Sequence, residues 1–369
     1  MPATNKKRFF RYGWRIIFAA NLVFILLMFM AYLAWYVSPE KMSVFAYVGL
    51  AFPFILAINT TFVILWLLCR QWLFLAVSVV TLLVCINPVT AYFPLHIAKT
   101  SPPDGCIKIL TYNVRCFNWF NKGKDAAIFD YIRNSEADIV CIQEFLAMRG
   151  NGRVSVEEIQ KQLKNYPYYK VINQRPTLPY IYGIACFSKY PIMSAEVIPY
   201  KSENGSAVFL LYINGKRVSL INNHLESNGV EPKDRELYQD FLKNVEKSKI
   251  DDVTRNMRAH LGKAFRKRAF QAEKIAEFVK KQQTDAIILC GDFNDTPISY
   301  AYHTIKGDLL DAYSGNEFGA RITYHEDFFL FRIDFIMHSD NIRSYNCTID
   351  KVNYSDHYPM WTYLKIDDE

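Results

Sequence analysis

Ser355-Asp356-His357-Tyr358-Pro359-Met360-Trp361 sets an acid beside a histidine on one turn, directly ahead of an apolar run. Two earlier stretches give that pair meaning: Gly291-Asp292-Phe293-Asn294 and Arg332-Ile333-Asp334-Phe335-Ile336. In each, a carboxylate sits at one end of an apolar, strand-like segment, where a sheet presents groups at its rim and loops converge. Working outward, Glu144 follows Ile139-Val-Cys-Ile and Asp292 follows Ile287-Ile-Leu-Cys. A single acid there is most simply a polar residue closing a strand. Recurrence changes the reading. Asn113, Glu144, His224, Asp292, Asn294, Asp334, Asp356 and His357 all follow strand-like runs or occupy adjacent turns, and no one structural role calls for so many acids, amides and imidazoles.

The intervening pattern predicts strands near 107–113, 138–143, 168–173, 182–188, 193–199, 207–213, 217–223, 286–290, 321–324, 332–338, 345–352 and 359–365, from apolar and β-branched runs bounded by turn residues. Ile213-Asn214-Gly215-Lys216 reads as a hairpin turn. Helices are expected over 124–135, over 155–165 behind a capping-box-like Ser155-x-x-Glu158, and within a long polar region at 232–282. The fold class is therefore α/β or α+β, two packed sheets flanked by helices.

Seven motifs occur in order: Lys108-Ile-Leu-Thr-Tyr-Asn-Val-Arg115, Ile142-Gln-Glu144, Ile184-Ala-Cys-Phe-Ser-Lys-Tyr-Pro-Ile192, Asn222-Asn-His224, Gly291-Asp-Phe-Asn-Asp-Thr-Pro297, Arg332-Ile-Asp334 and Ser355-Asp-His357. The set resembles the endonuclease/exonuclease/phosphatase superfamily, which includes deoxyribonuclease I, abasic-site endonucleases, neutral sphingomyelinases and inositol polyphosphate phosphatases. The resemblance covers about 107–365 and implies a four-layer α/β sandwich around two central mixed sheets. It also implies roles. Glu144 would be the principal ligand of Mg²⁺ or Mn²⁺, assisted by Asn113 and Asp356. His357 would act as acid/base or contact the phosphate, with Asp334 fixing its tautomer. Asp292 would position or deprotonate water, Asn294 would hold a phosphate oxygen, and His224 would stabilise the transition state or protonate the leaving oxygen. Arg115, beside Asn113, stands where abasic-site endonucleases carry an acid. That favours the deoxyribonuclease I-like pattern and makes Arg115 a substrate contact.

The chemistry asks for these residue types independently of any family. A phosphate ester repels nucleophiles, so cationic or donor groups must screen it while a carboxylate aligns water. An imidazole, with an unperturbed pKa of about 6.5, is the natural proton carrier. The expected activity is metal-dependent hydrolysis of a phosphodiester or phosphomonoester by direct water attack. Nucleic acid is the first substrate guess, with a phospholipid headgroup or a small phosphorylated metabolite as alternatives. No protein partner can be inferred.

The first hundred residues have a different composition. Residues 16–37, 42–69 and 71–98 carry no charge, and Arg70 is the only one between the last two runs. Each exceeds the roughly 20 residues that cross a bilayer core. They predict a membrane anchor over 1–98 with transmembrane helices at about 16–37, 45–68 and 71–93; Pro88 and Pro94 place the end of the third near Asn87. The breaker-rich 99–105 reads as a linker and 106–369 as the phosphoesterase domain. Of 43 basic and 36 acidic residues, eight basic and one acidic fall before residue 101, so the net +7 belongs to the anchor. It is no nucleic-acid footprint of the rest. Lys6, Lys7, Arg8, Arg11 and Arg15 precede the first run, and the positive-inside rule puts the N-terminus and Arg70 in the cytoplasm. Three crossings of the inner membrane would leave the domain extracytoplasmic. A non-catalytic sensor or binding module is the remote alternative, disfavoured by charge-free spans and a complete set of catalytic residue types.

Overall fold

The computed structural model describes residues 3–97, 100–119, 124–150, 155–200, 202, 204–229, 247–326 and 330–367; side chains before residue 12 and over 247–257 lie outside this set. Among the described residues the chain forms two six-stranded sheets. The first contains β1 (Ile107–Asn113), β2 (Ile139–Met148), β3 (Tyr168–Asn173), β4 (Tyr180–Ser188), β11 (Ile342–Ile349) and β12 (Met360–Ile366). The second contains β5 (Ile192–Ile198), β6 (Ser206–Ile213), β7 (Lys216–His224), β8 (Ala286–Asp292), β9 (Leu310–Asp311) and β10 (Asp334–His338). Their orders are β11-β12-β1-β2-β4-β3 and β5-β6-β7-β8-β10-β9. Only β1–β2 and β7–β8 pair in parallel, and both crossovers carry helices: α6 (Lys124–Asn134) in the first and α8 (Lys247–Lys280) in the second.

The strands read as near-continuous apolar runs because both faces are covered. Ile109, Cys141, Cys186, Phe209, Leu220, Ile288, Cys290 and Ile336 fill the space between the sheets. On the outer face of the first sheet, Leu110, Val140 and Phe187 pack on Ile128, Phe129 and Ile132 of α6 and on Ile159 of α7 (Val156–Gln162). On the second, Ile221, Leu289 and Phe335 meet Ala272 and Ile275 of α8 and Tyr302 of α9 (Tyr300–Lys306). This is the expected four-layer sandwich. Ser155 accepts from Glu158 N as its spacing predicts, and Asn214 and Gly215, at φ 50° and 86°, make the β6–β7 turn. All eight cysteines are free thiols.

Two expectations within the sandwich are corrected. Residues 321–324 are not a strand; Tyr324 makes isolated bridges to Phe331 and His357. The strand expected from 332 begins at Asp334, because Thr323 Oγ1 accepts from the N–H groups of Ile333 and Asp334 and takes the place of a ladder partner. Of the polar helix expected at 232–282, the described part is α8; residues 232–246 lie outside the described set.

Among the described residues one helix is by itself long and apolar enough to cross a membrane, Tyr12–Leu33 within α1 (Ala3–Leu33), and there are up to three such spans if each bent pair is one span. The two helices expected over 45–68 and 71–93 are each broken. α2 (Val44–Leu50) and α3 (Phe52–Leu68) meet at 65°, and α4 (Trp72–Val84) and α5 (Ile86–Tyr92) at 67°. Proline explains both, since it cannot donate to the carbonyl four residues back and its ring clashes there. Pro53 disrupts the turn through Gly49, and Pro88 the turn through Val84. The second break thus falls at Cys85, ahead of the predicted stop. In the bundle, Asn21 Oδ1 accepts from Trp66 Nε1 at 2.9 Å and Ser78 Oγ at 2.8 Å, joining α1, α3 and α4.

The bundle touches the sandwich at one end. Trp35 Nε1 donates to Pro297 O at 2.8 Å and its ring stacks on His303. Arg332 Nη2 donates to Ala91 O at 2.9 Å, and Ala46, Tyr47 and Leu50 of α2 pack on Leu261 and Phe265 of α8.

Candidate active site

Strand register assembles the site. His224, Asp292 and Asp334 end or begin three neighbouring strands of the second sheet, with His224 opposite Asp292 in the parallel β7–β8 pair and Asp334 opposite Asp292 in the antiparallel β8–β10 pair. Gly291 makes the close approach possible. At φ 123° it stands so near β7 that a Cβ would lie 2.0 Å from Asn223 O, which excludes every other residue. Asn113 and Glu144 face them from the first sheet. Glu144 interrupts the β2–β4 pairing between Ile142 and Phe145 and takes φ 50°; the bulge re-aims its carboxylate. The sheets are pinned here by a buried amide pair, Gln143 Nε2 donating to Asn222 Oδ1 at 2.6 Å.

All the candidate residues meet. Asn113 Nδ2 lies 3.1 Å from both Glu144 Oε1 and Asp292 Oδ2. Asn294, at φ 51°, donates its N–H to Asp292 Oδ1 at 2.7 Å and its side-chain amide to Asp292 Oδ2 at 3.2 Å. His357 Nδ1 is 2.8 Å from Asp334 Oδ2, and its Nε2 is 3.6 Å from Asp292 Oδ2. His224 Nε2 stands 3.8 Å from both Glu144 Oε1 and Asp292 Oδ2. Arg115 Nη1 pairs with Glu326 at 2.6 Å, and its Nε lies 3.6 Å from Asp356 Oδ2. Ser355 Oγ ties the last turn to β1 by donating to Asn113 O at 2.8 Å.

Burial sets the charge states. It raises the Asp292 carboxyl to about 6, with the negative Asp334 adding to the rise and His357 opposing it. For His357 burial disfavours the charged ring, but Asp334 and Asp292 outweigh it and hold the imidazole well above its ordinary range. His224 goes the other way: burial lowers it, against the pull of Asp292. Asn204 Nδ2 donates to Leu225 O at 3.0 Å and lies 3.2 Å from His224 Nε2.

Glu144 is raised first by burial and next by the charge of Asp356. Both carboxylates line one cavity, and two like-charged oxygen donors at one cavity fit a hard divalent cation. Asn113 turns its amide nitrogen to the carboxylates while its oxygen accepts from Arg115 N at 3.0 Å; in this arrangement it steers Glu144 rather than offering a ligand oxygen. Asp292, Asp334 and His357 also bring ligand-type atoms within 4.8 Å of one another. There, however, Asp334 and His357 bond each other, so Glu144 and Asp356 fit an ion better.

Several neighbours carry no signal that their local sequence makes readable. Asn204 orients His224, Thr323 holds the start of β10, and the Tyr324 ring meets the His357 ring edge-on at 5.1 Å between centroids. Arg268 is buried, and its Nε pairs with Asp295 at 3.0 Å. Leu50, from the N-terminal helices, lines the candidate cavity with Glu144, Asp292 and His357.

A family model described as Endonuclease/Exonuclease/phosphatase family matches residues 110–357. A second, described as a domain of unknown function (DUF8431), matches residues 14–92. No curated protein matches the chain. Among solved structures, the human Nocturnin catalytic domain with bound sulfate is similar at 13% identity and TM-score 0.51, covering 73% of this chain and 97% of that one. Sphingomyelinase C from Streptomyces griseocarneus gives 18% identity and TM-score 0.48, covering 71% and 99%. Beta toxin from Staphylococcus aureus with bound magnesium ions gives 17% and 0.46, covering 70% and 99%. At these identities the likeness speaks to the fold alone.

Proposed function

The chain belongs to the endonuclease/exonuclease/phosphatase family, whose members are metal-dependent phosphoester hydrolases, and from that premise we propose that it cleaves a phosphodiester or phosphomonoester by direct attack of water at the Asp292–His357 site. The observation that carries this reading is the line Asp334–His357–Asp292, with the imidazole 2.8 Å from one carboxylate and 3.6 Å from the other. Asp292, anionic near neutrality, accepts the proton of the attacking water. As the new P–O bond forms, the ester P–O bond opens. The departing oxygen takes a proton from the imidazolium of His357, which Asp334 keeps charged and oriented. Asn294 fixes Asp292, its side-chain amide donating to Asp292 Oδ2 and Leu225 O, Arg115 lends positive charge at the rim, and neutral His224 closes the buried side. Glu144 and Asp356, with Asn113 steering Glu144, would hold Mg²⁺ or Mn²⁺, which when bound would neutralise phosphate charge.

Residues 1–98 are assigned as an inner-membrane anchor, 99–105 as a linker and 106–369 as the catalytic domain, with the domain outside the cytoplasm. Support for this sidedness is the basic N-terminus on a helix whose opposite end touches the sandwich through Trp35. Nucleic acid, phospholipid headgroups and small phosphorylated metabolites all suit the chemistry.

The test is hydrolysis of bis-p-nitrophenyl phosphate by the purified full chain with and without Mg²⁺, beside Asp292→Ala and His357→Ala. Divalent-dependent turnover lost in both variants is expected; an unaltered rate in both sinks the reading. Protease access in intact cells tests the sidedness.

A further inference from the structure

The catalytic cavity, about 180 Å³, is walled in part by the membrane-side region: Glu144, Asp292 and His357 line it together with Leu50, Leu261 and Phe265. Leu50 ends α2, two residues before Phe52 opens the apolar α3. Leu261 and Phe265 are the α8 residues on which α2 packs. This wall is held in place. Tyr47 Oη donates to Arg258 O at 2.5 Å, and Gly49 lies so close to Ile298 that a Cβ would stand 2.5 Å from its carbonyl oxygen. Phe331 and Ile333 extend the apolar surface of the same cavity.

An apolar wall beside a phosphate site discriminates between substrates. A nucleic acid surrounds its phosphates with sugars and further charge and is held by basic tracks and stacking faces. An ester bearing an alkyl chain gains from every methylene the wall covers. The position of the wall points the same way, since Leu50 stands where the chain enters an apolar helix of the bundle. Arg258, Lys263 and Arg266, exposed on α8, suit the anionic headgroups of a bilayer surface.

Resting on the phosphoesterase reading, we propose that the substrate is a lipid phosphate ester drawn from the bilayer surface. Its phosphate meets Asp292 and His357, and the first carbons of its chain lie against Leu50, Leu261 and Phe265. The N-terminal region is then part of the substrate site as well as a tether.

The test uses the full chain in dodecylmaltoside micelles with p-nitrophenyl alkyl phosphate diesters carrying methyl, hexyl or dodecyl chains, and compares wild type with Leu50→Glu and Leu50→Met. A fully buried methylene is good for roughly fourfold, so kcat/KM is expected to rise by at least about tenfold from methyl to hexyl. Leu50→Glu should flatten that rise in the same micelles, and Leu50→Met should keep it. If Leu50→Glu does not fold, the wild-type slope and its retention in Leu50→Met still decide. A second arm compares vesicles of phosphatidylglycerol and phosphatidylethanolamine with single-stranded and duplex DNA, reading released headgroup or nucleotide. Release from vesicles supports the proposal. A flat alkyl series, or cleavage of DNA with vesicles untouched, overturns the lipid assignment and leaves the phosphoesterase standing. No turnover even of the methyl diester overturns that underlying reading, and this one falls with it.

Discussion

The helical bundle and the sandwich bury polar groups by different rules. In the bundle the buried groups are neutral: Asn21 accepts from Trp66 and Ser78, and Asn59 donates to backbone carbonyls of α1 and α3. The sandwich buries neutral amides too, Gln143 with Asn222 among them, but among the described residues it also buries charges. Arg268 pairs with Asp295 and Arg332 with Asp311, each at 3.0 Å with little exposure. Asp292 with Asp334 and His357 is, by contrast, a group of buried charges that opens on a cavity, which Asp292 and His357 line. A neutral hydrogen bond can be placed wherever helices touch. A buried charge persists only with a partner, and removing one partner leaves the other uncompensated. The contrast teaches where to look for chemistry: buried charge with its partners satisfied holds structure, and buried charge with a free side toward a cavity is available to a substrate.

The strongest way to break this contrast is at the open group. Asp292→Ala and His357→Ala are each expected to lower kcat/KM by about 10²–10⁴-fold, measured on bis-p-nitrophenyl phosphate; the melting profile is retained in Asp292→Ala, whereas His357→Ala also takes the partner of Asp334 and lowers the melting temperature. Loss of folding instead would make the group structural like its neighbours. Arg332→Met probes a closed pair. It strands Asp311 and removes the donor to Ala91 O, so a loss of about 3–5 kcal/mol is expected by denaturant unfolding in detergent. A neutral result would mean the pair does not hold the sandwich.

Gly49→Ala sharpens the comparison at the seam between the regions. Its methyl would meet Ile298 O at 2.5 Å and Ala34 Cβ at 3.0 Å, and overpacking of this kind costs about 1–3 kcal/mol. The expected readout is a lower melting temperature of the full chain; an unchanged one would show that α2 is not held against the sandwich. pH gives the smallest step. Asp292 must be ionised to take a proton, and its carboxyl is raised to about 6. Log kcat/KM should therefore fall by about one unit per pH unit below that value. At the alkaline end, deprotonation of His357 above its raised pKa should lower the rate again. A profile flat from pH 5 to 7 would remove Asp292 as the base.

How far the sequence could be read depended on how local each feature is. The predicted strands at 168–173 and 207–213 lie within a residue of their observed ends because apolar alternation and turn residues are short-range properties. The segment at 321–324 misled because Thr323 spends its side chain on the backbone of β10, a choice made by a partner ten residues away. The second and third apolar runs were legible as apolar, and Pro88 as an interruption. The weight of Pro53 became visible only once α2 was seen turned onto α8.

By itself, the sequence determined the sandwich and the membership of its site. Glu144, Asp292, Asp334 and His357 each end or adjoin a strand-like run, and strand ends on neighbouring sheets come together in any fold that closes that core. Tertiary structure alone decided the rest: that Asn204 reaches the His224 ring, that Arg268 is buried, and that Leu50 reaches the candidate cavity. Leu50 and Asp292 are separated by more than two hundred residues of chain. No periodicity records such a contact, which exists only because the breaks at Ala51 and Cys85 turn the N-terminal helices onto the face where the strands end.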